Sequence, residues 1–124
     1  MNNRLLLIFS LIICLIISCK QKEYARAYVK IVSPSNNSIV KSGDTIHFKN
    51  EWKLSGVLFE FDYATFTLIN KKTGDKLIEQ AIKDTIQFIP DFKDTVNISA
   101  YATYWREDST KPDKIHQINL TVIP

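Results

Sequence analysis

Apolar and polar residues alternate along most of the chain after residue 27, with the two-residue period of a strand that buries one face. The longest alternation covers residues 95–105, and short segments rich in Ser, Pro, Asn, Asp and Gly separate the alternating runs as turns. The predicted strands are 28–32 (resumed at 38–40), 44–52, 59–70, 77–82, 85–89, 95–105 and 114–123. The pattern predicts an all-β antiparallel sandwich of about seven short strands over residues 28–124.

One segment, 77–82, is ambiguous, because its apolar residues also fit one face of a helix. Tertiary context should decide between the two, and we expect an edge strand. The segment 71–75 predicts a hairpin loop in which Gly74 takes a positive φ. The side chains expected between the two sheets are Phe48, Phe66, Leu68, Ile98, Ala100 and Leu120.

The first eighteen residues have the order of a secretory signal. Arg4 precedes a mainly apolar run, 5–17, and the small residue Ser18 precedes Cys19. A helix of about 13 residues rises only ~20 Å, which is short of the ~30 Å hydrocarbon core of a bilayer. Residues 1–18 are therefore predicted to be a cleaved signal peptide.

The tetrapeptide Ile16-Ile17-Ser18-Cys19 resembles a bacterial lipobox. The resemblance implies cleavage between Ser18 and Cys19, a thioether-linked diacylglycerol on the Cys19 thiol, and acylation of the new amino group with a fatty acid such as palmitate. An ordinary signal peptide in which Cys19 is incidental is the alternative. Residues 19–27 would then be a lipidated tether with a reach of at most about 30 Å. Acyl chains would hold it at the membrane with about 0.8 kcal/mol per buried methylene.

The residue after the cysteine bears on localisation. In enteric lipoproteins an Asp at this position retains the protein in the inner membrane, so Lys20 favours the outer membrane. The charged run 20–23 resembles the surface-export signal of Bacteroidota lipoproteins, although that signal is usually more acidic. The periplasmic and the surface face of the membrane are both left open.

The domain itself has a family resemblance. Residues 29–48, VKIVSPSNNSIVKSGDTIHF, resemble the opening of bacterial Ig-like domains, and residues 95–123 are similar to their closing hairpin, including the polycystic-kidney-disease and cadherin-like types. The resemblance covers residues 28–124 and implies an Ig-like β-sandwich without specifying a ligand. The sequence departs from the pattern in having no Cys pair in this range and no Asp-Gly-Asn in the last loop, which argues against cadherin-type calcium sites.

Charge and motifs exclude several function classes. The net charge of +3 is small and dispersed, and does not indicate a nucleic-acid partner. His47 and His116 lie on or near the polar phase of their strands, without the neighbours of a zinc site. Acidic residues at 91–94 and 107–108 lack the order of a calcium loop, and no nucleophile-elbow, HExxH or phosphate-loop motif occurs. We expect no metal, no cofactor and no enzymatic activity.

Four triplets resemble the O-glycosylation signal of Bacteroidota envelope proteins, in which Asp precedes Ser or Thr and then an aliphatic residue or Thr. Their central residues are Thr45, Thr85, Thr95 and Ser109. Boundaries between loops and strands also generate this triplet, because Asp favours turns and Thr-Ile favours strands. Both interpretations stay open.

Aromatic residues give the best candidates for a binding surface. The candidates are Trp52, Tyr101 and Trp105, with Arg106 beside them. Tyr101 and Trp105 lie on the outward phase of their predicted strand, although packing on a neighbouring strand is the alternative. In a seven-stranded sandwich the connections at 53–58 and 106–113 emerge at one end, which we predict to be the functional end.

The sequence thus predicts a lipid-anchored cell-envelope protein whose Ig-like module binds a protein or glycan partner. Two other classes are left open, a protease inhibitor of Ig-like fold and a structural accessory subunit of an envelope complex. Inhibitors resembling chagasin carry Asn-Pro-Thr-Thr-Gly and Arg-Pro-Trp loops, and this sequence has neither.

Overall fold

A computed structural model describes residues 27–54, 62–107 and 110–124 of the 124-residue chain. These residues form eight strands. The strands are β1 (Tyr28–Ser33), β2 (Ser38–Lys41), β3 (Ile46–Lys53), β4 (Tyr63–Asn70), β5 (Lys76–Ala81), β6 (Thr85–Phe88), β7 (Val96–Trp105) and β8 (Lys114–Ile123). Most show the alternating burial that their sequence predicts, but on β7 the outward-phase Ser99 and Thr103 are buried as well. Over the described ranges, no helix is long and apolar enough to cross a membrane.

The strands form two sheets. One has three strands in the order β1-β3-β6, and the other has five in the order β2-β8-β7-β4-β5. Every pair is antiparallel except β2 with β8, which is parallel. The prediction of an Ig-like β-sandwich is confirmed, with one strand more than the predicted seven.

The additional strand arises because the chain changes sheets after Ser33. The turn that follows docks on β8: the Asn37 backbone N–H donates to the Asn119 carbonyl at 2.7 Å. In return, the Asn119 N–H donates to Asn36 Oδ1 at 2.8 Å. Asn37 adopts a φ of 65°, a left-handed conformation that Asn tolerates better than most residues. Residues 38–41 therefore join the five-stranded sheet as a separate strand and do not resume β1.

The ambiguous segment is a strand. β5 lies at the edge of the five-stranded sheet and pairs with β4, as predicted. The hairpin between them also follows the prediction, since Gly74 has a φ of 77°. Asn70 Oδ1 accepts hydrogen bonds from the N–H groups of Lys72 and Thr73, which fixes the turn.

The core lies between the sheets. All six side chains predicted for it are fully buried, at 0–1% relative exposure: Phe48, Phe66, Leu68, Ile98, Ala100 and Leu120. Phe48 comes from the three-stranded sheet and Phe66 from the five-stranded sheet, and their rings meet with centroids 5.1 Å apart. This contact joins the two layers at the centre of the sandwich.

The described chain enters at one end of the sandwich, beside the connections that follow β3 and β7. Tyr28 is paired with Lys53, the last residue of β3. Lys114 Nζ donates to the Ala27 carbonyl oxygen at 2.6 Å, which ties this entry point to the start of β8. We call this the entry end, and it lies where the sequence predicted the functional loops.

Candidate binding surface

The outer face of β4, β7 and β8 carries no charged side chain. Residues that pair directly across antiparallel strands lie on the same face, so the registers of β4–β7 and β7–β8 define this surface. We call it the neutral face. Its residues are Tyr63, Thr65, Thr67 and Ile69 on β4, Asn97, Ser99, Tyr101, Thr103 and Trp105 on β7, and Ile115, Gln117, Asn119, Thr121 and Ile123 on β8.

Charged residues lie at both edges of this surface. On the edge strand β5, Glu79 lies opposite Thr67 and forms an ion pair with Lys76 at 3.2 Å. On the other edge, Lys41 of β2 lies opposite Ile123. The neutral face is therefore an uncharged central area between two edge strands that carry charged side chains.

Two aromatic rings stand at the entry end of the neutral face. Tyr63 and Trp105 are directly paired across β4 and β7. Their rings are within 9° of parallel with centroids 6.1 Å apart, an offset stacked arrangement. Trp105 Nε1 donates to Thr65 Oγ1 at 2.9 Å, so the orientation of the indole is fixed and its only polar atom is satisfied. Tyr63 stays 47% exposed.

At the other end of the neutral face, hydroxyl and amide groups bond to one another. Asn119 Oδ1 accepts from Ser99 Oγ at 2.8 Å and from Gln117 Nε2 at 3.1 Å. Thr121 Oγ1 donates to Asn97 Oδ1 at 3.0 Å. These bonds hold the side chains in place. Ser99 is buried at 1% relative exposure, whereas the exposed Asn97 and Gln117 keep amide groups accessible to a ligand.

A shallow depression continues this amide-rich end. Its lining includes Asn37, Asn97, Asn119 and Thr121, together with Lys71 from the β4–β5 hairpin. The polar groups of the neutral face thus run from the stacked rings at the entry end to a concave patch at the opposite end.

The structure separates the predicted site residues into two groups. Tyr101 and Trp105 lie on the neutral face, as their phase predicted, and the exposed Arg106 follows Trp105 directly. Trp52 lies on the inner phase of β3, with Phe48, and is half-buried against the core. It therefore does not share a surface with Trp105, although both lie near the entry end.

Sequence reasoning did not single out Tyr63. Its outward phase was predictable from the alternation of Ala64, Phe66 and Leu68 beside it. Its partnership with Trp105 was not, because that contact depends on the register between strands 40 residues apart in sequence.

Other predicted sites are placed as follows. Thr45, Thr85 and Thr95 are exposed and stand at the starts of β3, β6 and β7, the boundary positions that both interpretations of the triplet expected. Ser109 lies outside the described residues, as do Ser18, Cys19 and most of the 53–58 connection. Glycosylation and lipidation stay predictions.

The two histidines lie on different sheets. His47 is exposed on the outer face of β3. His116 is half-buried on the inner phase of β8, and its Nδ1 accepts the Ile31 N–H at 2.9 Å, which holds β1 against the other sheet. Sequence reasoning had placed His116 on or near the polar phase. No group of three or more metal-ligating side chains occurs within the ranges that the structure describes.

No family model and no curated protein sequence matches the chain. Among solved structures, the chain is similar to fibronectin(III)-like modules of Clostridium thermocellum CbhA, with 12% sequence identity and a TM-score of 0.47 over 77% of this chain and 97% of that chain. The assignment of an Ig-like β-sandwich accordingly rests on the strand order and the two-layer core described above.

Proposed function

We propose that this protein is a lipid-anchored component of the bacterial cell envelope, in the outer membrane, and that its β-sandwich binds a protein or glycan partner through the neutral face. The observation that supports binding is the fixed Trp105–Tyr63 pair on an outer sheet surface without charge. Aromatic residues are enriched where partners bind, and charged residues are depleted at the centres of such surfaces. The proposal includes no catalytic activity, cofactor or nucleic-acid partner.

The anchor and the binding surface are compatible in space. A tether of about eight residues between Cys19 and Ala27 reaches at most ~30 Å, so the entry end would stay near the membrane. The neutral face lies along the side of the sandwich and extends away from the entry end over the length of β7, about 33 Å at 3.3 Å per residue. A partner could therefore approach this face without passing between the domain and the membrane.

The anchoring half of the proposal is tested by changing Cys19→Ala in the full chain. We expect the precursor to keep its signal peptide and to lose incorporation of an alkyne-labelled fatty acid, because only the Cys19 thiol can form the thioether. Cys14→Ala is the matched control, since Cys14 lies within the predicted signal peptide. Normal maturation and labelling of the Cys19→Ala protein would contradict the lipid anchor.

The binding half is tested by photo-cross-linking in intact cells. A benzoylphenylalanine placed at Tyr63 should form a covalent adduct with a protein or a glycan. The same probe at Tyr28 is the control, because Tyr28 is also exposed (43%) and near the entry end but lies on the other sheet. Absence of adducts at Tyr63, or equal adducts at both positions, would contradict the proposed surface.

A further inference from the structure

We infer that the partner of the neutral face is a neutral polysaccharide, which lies across β4, β7 and β8 with a sugar ring against the Trp105–Tyr63 pair. This inference rests on the proposed function and specifies the chemical class of its partner. It combines three independent features of the same surface: its lack of charge, its hydrogen-bonding groups and its two aromatic rings.

The lack of charge favours a ligand that is itself uncharged. A carboxylate, sulfate or phosphate ligand would be desolvated on binding and would need cationic partners to offset that cost. The outward-facing positions of β4, β7 and β8 offer none. The nearest cations lie at the edges of this face, with Lys41 on the neighbouring strand β2 and Arg106 directly after the end of β7. Lys71 and Lys72 of the β4–β5 hairpin lie at the far end, where they line depressions beside Asn97.

The hydrogen-bonding groups match sugar hydroxyls. Each hydroxyl of a sugar both donates and accepts, and so do the hydroxyl and amide side chains of Thr, Ser, Asn and Gln. A protein partner would instead favour an apolar centre, as in the cores of protein–protein interfaces. In the middle of the face Thr103 is buried, at 7% relative exposure, whereas Thr65, Thr67 and Tyr101 are partly exposed. Together with the exposed Gln117 opposite Tyr101, they give the centre of the surface accessible hydroxyl and amide groups.

The aromatic pair supplies the apolar contact that sugar binding also requires. A pyranose ring presents C–H groups on one side, and these pack against the face of an aromatic ring. The indole of Trp105 is held by its bond to Thr65, so little side-chain entropy is lost when a ligand binds. The half-exposed Tyr63 extends the platform beside it.

Native affinity electrophoresis tests the inference with the mature full-length domain. The probes are neutral polysaccharides (hydroxyethylcellulose, xylan, galactomannan, dextran and laminarin), with polygalacturonate as the acidic comparison. We expect at least one neutral probe to retard the wild-type protein and polygalacturonate not to retard it. Tyr63→Ala and Trp105→Ala should each reduce the association constant at least tenfold, whereas Tyr28→Ala should leave it unchanged.

Folding and binding are kept distinct by two further measurements. Trp105→Phe keeps a ring but loses the Nε1 donor, and we expect it to retain part of the retardation that Trp105→Ala loses. Thermal melts of all variants identify any that fail to fold, and Tyr63→Ala should fold with only a small loss of stability, because Tyr63 is half-exposed but stacks on Trp105. A folded Tyr63→Ala protein that is retarded like the wild type would overturn the inference.

Electrophoresis and cross-linking together distinguish a failure of the polysaccharide inference from a failure of the proposed binding function. If none of the neutral polysaccharides retards the wild-type protein while the probe at Tyr63 cross-links a protein, the polysaccharide inference fails and the binding function stands. If polygalacturonate alone retards it, the inference fails as well. If no adduct forms at Tyr63 and no probe retards the protein, both proposals fail together.

Discussion

The two sheets of this sandwich have similar inner faces but different outer faces. On the three-stranded sheet, outward positions include His47, Lys49, Glu51 and Lys53 of β3, with Lys30 on β1 opposite Glu51. On the central strands of the five-stranded sheet, every outward residue is uncharged. The sequence contains 23% charged residues, so the distribution between the two surfaces is strongly unequal.

The fold constrains the inner faces of the two sheets more strongly than their outer faces. Both inner faces must be apolar because they bury the same core. An outer face needs only to be compatible with solvent, and interspersed charges such as those on β3 meet that need. Strand formation therefore does not explain the neutral face. This uncharged outer face, with aromatic rings at one end, is the basis of the proposed binding role.

The largest expected effect concerns the inner faces of the two sheets. Phe48→Ala or Phe66→Ala removes one ring of the contact that joins the sheets, and each should lower the free energy of unfolding by about 3–5 kcal/mol. Urea unfolding of the purified domain measures this loss. Thr67→Ala, on the outer side of β4 next to Phe66, is the control and should change stability by less than about 1 kcal/mol. Wild-type stability of both Phe variants would contradict the register.

The next largest effect concerns the outer faces of the two sheets. Trp105→Ala combined with Arg106→Ala should weaken binding of the partner recovered at Tyr63 by about 2 kcal/mol, roughly thirtyfold, because Trp and Arg are frequent hot-spot residues. The control is Tyr28→Ala combined with Lys30→Ala, which removes an aromatic ring and a cation from the other outer face. Titration by isothermal calorimetry compares the two double variants, and equal losses would end the distinction between the faces.

Most of the fold could be predicted from the sequence, because strand alternation is a local signal. The β7 pattern alone identified Ile98 and Ala100 as buried and Tyr101 as outward-facing, and the structure agrees. The ambiguous β5 was resolved by its edge position beside β4, a tertiary contact that no local pattern encodes.

The candidate site was only partly predictable. Trp105 was found because its phase is visible in the sequence, but Tyr63 gained its meaning only from the register of β4 with β7. Trp52 was grouped with Trp105 because both precede connections at the same end. The alternation of β3 already places Trp52 in phase with Phe48, and this inner position on the other sheet keeps it against the core.

The two histidines provide a smaller test of the inner and outer phases. His116→Phe keeps a planar ring but removes the acceptor for the Ile31 N–H, so we expect a loss of about 1 kcal/mol in the free energy of unfolding. His47→Phe, on the exposed face of β3, should change it by less than about 0.5 kcal/mol. Equal effects in urea unfolding would mean that the bond between β1 and β8 contributes nothing to stability.

The smallest expected effect concerns two glutamines that face outward on different sheets. Gln87 faces outward on β6 opposite His47, and Gln117 faces outward on β8 opposite Tyr101; both are exposed. Changing either residue to Lys should alter stability by less than about 0.5 kcal/mol, since neither side chain is buried.

Binding should nevertheless distinguish the two variants. Gln117→Lys places an ammonium group on the neutral face, where a neutral partner would have to desolvate it without an anion to pair with. We expect about a twofold weaker association, or ~0.4 kcal/mol, and no change for Gln87→Lys. Tighter binding by Gln117→Lys would point to an acidic partner and would show that the absence of charge on this face is not a requirement for recognition.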